Sequence, residues 1–424
     1  MSLDLLIQNT SEVLCVQGHS PQGGEGALTV LSRASVGVKD GLSAYVGPAD
    51  TLPPGALGEK TELLDARGGF VGPGFVDAHT HAVFGGERSR EFDLRCQGAT
   101  YLELAKSGGG IMGTVDATRS ASVAALAELA RPRLGRLLEH GVTTAEVKSG
   151  YGLSLDGELK QLHVVELLTG MQPVELVPTL LCAHAVPAEH RGQRDRYVSL
   201  CVEEIIPAVA ERKLARFCDV FVEEGAFTLE EARRILRMGM DRGLRPKLHA
   251  DQLSDLGACQ LASELKAVSA DHLEHISQAG AHALASGGVA GVLLPTATLF
   301  LRQRPFAPGR LLVDAGVKIA LATNLNPGSA MSENVGLTLG LACLENGLTA
   351  AEAYWAFTRG AALAVDLPSH GQIKLGGPAD LVIFSCASYR HLPYHLGINH
   401  VRTVVKRGRV VVQRTEIPEC VGTE

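Results

Sequence analysis

Two histidines stand one residue apart in "VDAHTHAVFGGER", residues 76–88. Side chains alternate along an extended chain, so His79 and His81 face one side and Thr80 the other. Such a pair is either half of a metal site or two polar residues at a strand end, and by itself it does not decide. Three more histidines, His184, His249 and His272, follow short apolar runs in the same way. The chain has only 15 histidines in 424 residues, and five of them fall at such places. A divalent ion collects imidazole and carboxylate ligands from several elements at once, so this grouping points to one metal centre. Glu146 and Lys148 in "EVKSGYGL", Glu223 with Glu224, Asp271, and Thr323 with Asn324 before "NPGS" occupy comparable positions.

These residues meet only if a fold gathers them. Eight short runs read as buried strands: 75–79, 143–148, 174–181, 219–223, 245–249, 267–272, 290–295 and 318–323. Stretches with helical spacing separate them, among them "AALAELARPRLGRLLEHG", "GELKQLHVVELLTG" and "LEEARRILRMGMDRG". Thr228 with Glu231 and Thr349 with Glu352 have capping-box spacing. Strands alternating with helices over residues 75–323 predict a (β/α)8 barrel, whose strands converge on one site at their C-terminal ends. A doubly wound sheet is the alternative fold, but no G-x-G-x-x-G follows a strand. "DLLIQN", "SEVLCV" and "LSAYVG" near the start, with "ADLVIFS" and "VRTVVKRGRVVVQ" near the end, are β-type. They predict a small composite β-sandwich from residues 1–70 and 371–424 around a barrel of residues 71–370.

Composition narrows the partners. Apolar residues make up 46% and charged ones 20%, enough for a large core. Aromatics are scarce at 4%, and the net charge of −7 leaves no basic field for nucleic acid or an anionic membrane. Arg131, Arg133 and Arg136 read as a solvated helix face. Nine scattered cysteines without a C-x-x-C pair are expected to be reduced thiols of a cytoplasmic protein. The N-terminus lacks the basic and apolar regions of a signal peptide, and no apolar run spans a membrane.

The first-strand H-x-H, the histidines ending strands five and six and the polar end of strand eight resemble the amidohydrolase superfamily, as do the flanks "GFVDAHTH" and "GGPADLVIF". Within it the chain is similar over almost its whole length to the imidazolonepropionase family. The matching pieces are "GERSREF" (86–92), "GATYLEL…GGGI" (98–111), "EVKSGYGL" (146–153), "CAHAVP" (182–187), "KLHADQ" (247–252), "SADHLEH" (269–275) and "NPGS" (326–329). The resemblance implies hydrolysis of 4-imidazolone-5-propanoate to N-formimidoyl-L-glutamate, the third step of histidine breakdown. It implies one zinc or iron per chain, held by His79, His81 and His249 with the residue at 324. It also implies substrate contacts from Arg88, Tyr151, His184, Gln252, Asn326, Gly328 and Ser329, and a homodimer. Gly108 to Gly110 reads as a turn or, beside a site, a mobile lid.

Two positions depart from the family pattern. Gln252 stands where some members carry Glu, and Asn324 stands where the family has Asp. The reaction cleaves a cyclic amide C–N bond, for which a bound divalent ion acidifies water and His272 can hydrogen-bond the developing oxyanion. Asn324 can offer a neutral oxygen to the ion but cannot accept a proton. A missing general base costs about 10²- to 10⁴-fold in rate. Either His272 or His184 takes the proton, or the chain is a slow or silent homologue. Another cyclic-amide or deaminating amidohydrolase is the third option, against which "KSGYGL" and Arg88 argue. Arg88 could pair with Glu87 or Glu91, but its place just after the metal strand favours carboxylate binding, and a guanidinium suits the propanoate of the substrate. Asp271 and Glu274 read as supporting residues rather than ligands.

Overall fold

The computed structural model describes residues 2–16, 18, 28–98 and 109–415. Most of the 98–111 motif, including Gly108, lies outside these residues, as does Cys420.

Eight strands form one parallel sheet in chain order: Phe75–Asp77, Val142–Lys148, Glu175–Ala183, Phe217–Phe221, Arg245–Ala250, Ser269–His272, Ala290–Leu293 and Lys318–Leu321. Each overlaps a run expected from the sequence. The fourth begins two residues early because the buried, apolar Phe217 and Cys218 continue its pairing with Arg245 and Pro246. The barrel closes just past its strand ends. Asn324 N–H donates to the His79 carbonyl at 3.0 Å, and His81 N–H donates to the Leu325 carbonyl at 2.9 Å. The closing seam between first and eighth strands is therefore made by the segments that carry the H-x-H pair and Asn324.

Helices pack outside the strands, and both capping boxes form. Thr228 and Glu231 cap Leu229–Asp241, and Thr349 and Glu352 cap Ala350–Trp355. The helix Val123–Glu139 corrects one expectation. Arg131 and Arg136 lie on its outer face beside Glu128 and Glu333, but Arg133 is buried. Its position shares the inner face with Ala130, Leu134 and Leu137. The charge is accommodated there because its guanidinium donates to the Ala82 and Phe84 carbonyls, both at 3.0 Å, and stacks on the Phe84 ring.

The terminal segments share a six-stranded sheet in the order Arg409–Gln413, Val401–Lys406, Leu381–Phe384, Val71–Pro73, Glu12–Val16 and Leu28–Ser32. A four-stranded sheet of Leu42–Pro48, Ala34–Lys39, Leu5–Gln8 and Glu62–Asp65 faces it. Leu5, Ile7, Val36, Val38, Val71, Leu381, Ile383 and Val405 fill one core between the two sheets. Val71–Pro73 pairs with Leu381–Phe384 in this sandwich, so we place the boundary with the barrel after Pro73. The eight described cysteines are free thiols. No helix among the described residues is long and apolar enough to cross a membrane.

Candidate metal centre and active site

The barrel strands and their ends carry polar residues at a period of two: Asp77, His79 and His81; Glu146 and Lys148; Lys247 and His249; Ser269 and Asp271. In a strand that spacing puts them on one face, and in a barrel with apolar outer positions the face is the interior. His272 is out of phase with Asp271. Its φ of +87°, followed by +71° at Leu273, takes it out of the extended conformation. Two consecutive non-glycine residues in that region are costly, and such strain concentrates at functional sites. Asp251 and Asn324, at φ +51° and +56°, share the feature.

Four imidazoles converge. His79 Nε2 lies 3.2 Å from His81 Nε2. The His79 ring centroid is 4.6 Å from that of His249, which is 5.4 Å from that of His272. One nitrogen each from His79, His249 and His272 falls within 4.8 Å of the others. The compact trio thus includes His272, one of the five strand-end histidines but outside the ligand set that the resemblance implies, with His81 alongside.

Carboxylates fix which nitrogen two of these rings present, those of His79 and His249. His79 Nδ1 donates to Asp271 Oδ2 at 2.7 Å, and His249 Nδ1 donates to Asp219 Oδ1 at 3.1 Å. The Nε2 atoms are left facing inward, and His249 Nε2 is buried with no hydrogen-bond partner among the described residues. Burial, with neighbouring cationic groups, holds His79, His81 and His249 well below the ordinary imidazole range, so all three are neutral. Neutral imidazoles with carboxylate-held Nδ1 atoms and an unpartnered inward nitrogen are the donor set that a zinc-like divalent ion takes. The residues present fit such an ion.

Beneath them lies a polar layer with no solvent access. Lys148 Nζ contacts Asp219 at 2.7 Å, Glu146 at 3.0 Å and Asp271 at 3.3 Å. Lys247 contacts Glu146 at 2.8 Å. Asp77 accepts from Thr323 Oγ1 at 2.6 Å, and burial pushes its carboxyl up to about 7. Asp219, Lys247 and Asp77 are not singled out by the sequence motifs, although charged residues inside otherwise apolar strands are the available signal.

Above the imidazoles opens a cavity of about 400 Å³. His81, Arg88, Tyr151, His184, His249, Gln252, His272, Asn324, Asn326, Gly328 and Ser329 all line it, while His79 lies beneath. Arg88 pairs with Glu91, as Nε to Oε2 at 2.6 Å and Nη2 to Oε1 at 3.0 Å. Glu91 also accepts from the Gly110 N–H at 2.6 Å, so it clamps Arg88 to the start of the helix Ile111–Ser120. The other guanidinium nitrogen, Nη1, packs so closely on Gly328 that a Cβ there would collide with it. Glu87 instead accepts from the Ser89 N–H.

The "KSGYGL" loop is held from below by Glu158. This buried carboxylate accepts from the N–H groups of Gly150, Gly152 and Leu153 at 3.2, 2.9 and 2.7 Å. Gly150 needs its φ of +104° there, and its carbonyl accepts from His184 Nδ1 at 3.0 Å. His184 stacks on His81 with centroids 5.2 Å apart, and burial takes its imidazole down to about 4. Of the two supporting carboxylates, the sequence points to Glu91 as an alternative partner of Arg88. It gives no hint of Glu158, which acts on backbone rather than on the cavity.

Comparison with known proteins agrees with this architecture. A model described as "Amidohydrolase family" matches residues 105–412. The imidazolonepropionase of Myxococcus xanthus is 65% identical over 97% of this chain and 98% of its own. That of Anaeromyxobacter sp. strain K is 49% identical over 96% of each. Among solved structures, an adenosine deaminase from Xanthomonas campestris with bound zinc superposes with a TM-score of 0.65, at 18% identity over 98% of this chain and 94% of that one. With near-full-length identity of 65% and a barrel whose strand ends gather these histidines, the chain belongs to the imidazolonepropionases, hydrolases of the amidohydrolase superfamily that act on carbon–nitrogen bonds.

Proposed function

We propose that the chain opens the ring of 4-imidazolone-5-propanoate at its amide C–N bond, giving N-formimidoyl-L-glutamate in histidine degradation. The observation that carries this is the pairing of a four-imidazole cluster with Arg88 in one cavity. The cluster suits hydrolysis and the guanidinium suits the propanoate. We further assign one zinc or iron per chain, a homodimer and a cytoplasmic setting, as the resemblance implies.

His79, His81 and His249 would hold the ion, with His272 and Asn324 beside them. A divalent ion in that place supplies Lewis acidity and acidifies water. The chain's own groups do the rest. Arg88 binds the carboxylate through Nη1, since its other edge is taken by Glu91. Tyr151, Gln252, Asn326, Gly328 and Ser329 shape the wall around the ring. His272 Nδ1 lies 3.5 Å from Glu274 Oε1, so its other nitrogen is available to the reacting oxygen. Asn324 takes no proton. His272 and His184 are the remaining groups able to carry it to the leaving nitrogen.

Asn324 also favours a second reading, a slow or silent homologue. Its Oδ1 accepts from Asn326 Nδ2 at 3.1 Å, so it stands as a hydrogen-bonded amide where the family has a carboxylate. Turnover of 4-imidazolone-5-propanoate by purified, zinc-loaded protein separates the two. Product at rates of the order of 1 s⁻¹ or above supports the enzyme, and no product from metal-loaded protein supports the silent homologue.

A further inference from the structure

Lys148 opens the "KSGYGL" stretch, touches neither the cavity nor any imidazole nitrogen, and yet has no exposed surface. Burying an ammonium is expensive unless it is paired, so its partners show what it is for. It has three: Asp219 Oδ2 at 2.7 Å, Glu146 Oε2 at 3.0 Å and Asp271 Oδ2 at 3.3 Å, all equally buried. Asp219 and Asp271 are the two carboxylates that hold His249 Nδ1 and His79 Nδ1. They come from the fourth and sixth barrel strands, and the histidines from the fifth and first.

We propose that Lys148 is a positioning residue that aims two metal-facing histidines at once, by drawing Asp219 and Asp271 to one ammonium. Asp219 spans the gap with Oδ2 on Lys148 and Oδ1 on His249. Asp271 meets both Lys148 and His79 through Oδ2, while its Oδ1 accepts from Ser269 Oγ at 2.5 Å. Without that ammonium the two buried carboxylates lose the cation that contacts both, and like charges at short range repel. They would swing apart and release both rings from a single Nδ1-donating orientation.

Lys247 provides the contrast. It is equally buried, but its ion pair among the described residues is with Glu146, and it reaches toward the Ala78 carbonyl at 3.5 Å. It holds no carboxylate that holds a histidine. A general loss of buried charge would make the two lysines equivalent. The proposed role does not.

The inference rests on the metal reading above, and its test reads binding rather than turnover. Wild type, Lys148→Met and Lys247→Met are stripped of metal, and zinc affinity is measured by competition with a chromogenic chelator. Loss of a group that orients metal ligands typically costs 10- to 100-fold in affinity. That range is expected for Lys148→Met, with Lys247→Met within about threefold of wild type. In metal-free wild type, long-range proton–nitrogen correlation spectra should show His79 and His249 as single Nδ1-protonated tautomers. Lys148→Met should lose that state while His184, held by the Gly150 carbonyl, keeps its own.

Wild-type affinity in Lys148→Met, or equal losses in both lysine variants, overturns the proposal. If Lys148→Met fails to fold, Lys148→Met with Asp219→Asn removes both charges of that pair and is measured instead. Zinc binding weaker in the double variant than in Asp219→Asn alone supports the role, and affinity equal to that of Asp219→Asn alone overturns it. A wild-type protein that takes up no zinc sinks the metal reading itself, and this inference with it.

Discussion

Asn326 grips Asn324 twice, donating from Nδ2 to its backbone carbonyl at 2.7 Å and to its side-chain Oδ1 at 3.1 Å. Asn326 Oδ1 in turn accepts from the N–H groups of Gly328 and Ser329, both at 2.8 Å. The loop that presents position 324 is thus built around an amide donor aimed at an oxygen. That oxygen can equally belong to a carboxylate, and the φ of +56° is one that Asn and Asp both tolerate.

Asn324→Asp is therefore expected to fit without rearrangement and to restore both an anionic donor and a base. We expect kcat to rise by at least about 10²-fold, the lower end of general-base catalysis. KM should change less, because Arg88, Tyr151 and His184 are untouched. If the chain as written already matches the Asp variant, another group is the base. Two inactive, metal-loaded proteins would show that position 324 is not what silences the site.

Metal content tests the imidazole cluster directly. Purified protein should retain about one zinc or iron per chain after mild dialysis, because buried imidazoles from three strand ends meet at one point. His79→Ala combined with His249→Ala removes two of them and should release the ion. Unchanged metal by elemental analysis in that variant would move the site elsewhere.

Much of the fold and of the site is legible in the amino-acid order alone. The alternation of strands and helices carries the barrel, and the five strand-end histidines carry the site, because both follow from local spacing. Thr228 and Thr349 cap their helices as their sequence neighbours require. What is not legible depends on distance in the chain. Asp219 holds a histidine 30 residues away, and Asp271 holds one 192 residues away. No local pattern encodes either. Arg133 is misplaced by sequence because its spacing resembles that of its exposed neighbours, and the carbonyls of Ala82 and Phe84 with the Phe84 ring give it a place inside. His272 joins the trio through a backbone turn at φ +87° that strand alternation alone does not foresee.

Arg88→Ala should weaken substrate binding more than it harms the fold. A charge-assisted hydrogen bond is worth roughly 1.5–3 kcal/mol, or about 10- to 150-fold in KM. Gly328→Ala makes a sharper companion. Its Cβ would displace Arg88 Nη1 without removing the charge, so a smaller rise in KM with little change in kcat is expected. Wild-type kinetics in both variants would return Arg88 to a simple ion pair with Glu91.

The final prediction concerns acid stability of the metal-free protein. His184 has its folded value depressed to about 4 by burial, against an ordinary imidazole value of 6.5. Between those values the unfolded chain binds a proton that the folded chain does not. Stability therefore rises with pH across this window, is fully present above about 6.5, and is lost as pH falls toward 4. His79, His81 and His249, held lower still by burial, add slope of the same sign. Chelated protein should show a melting temperature that drops steadily from pH 7 to pH 4. His184→Asn removes one of the titrating groups and should flatten the upper part of that curve. A curve for His184→Asn as steep as wild type between pH 6.5 and 5 would mean that His184 is protonated in the fold, and that the stacking on His81 does not require a neutral ring.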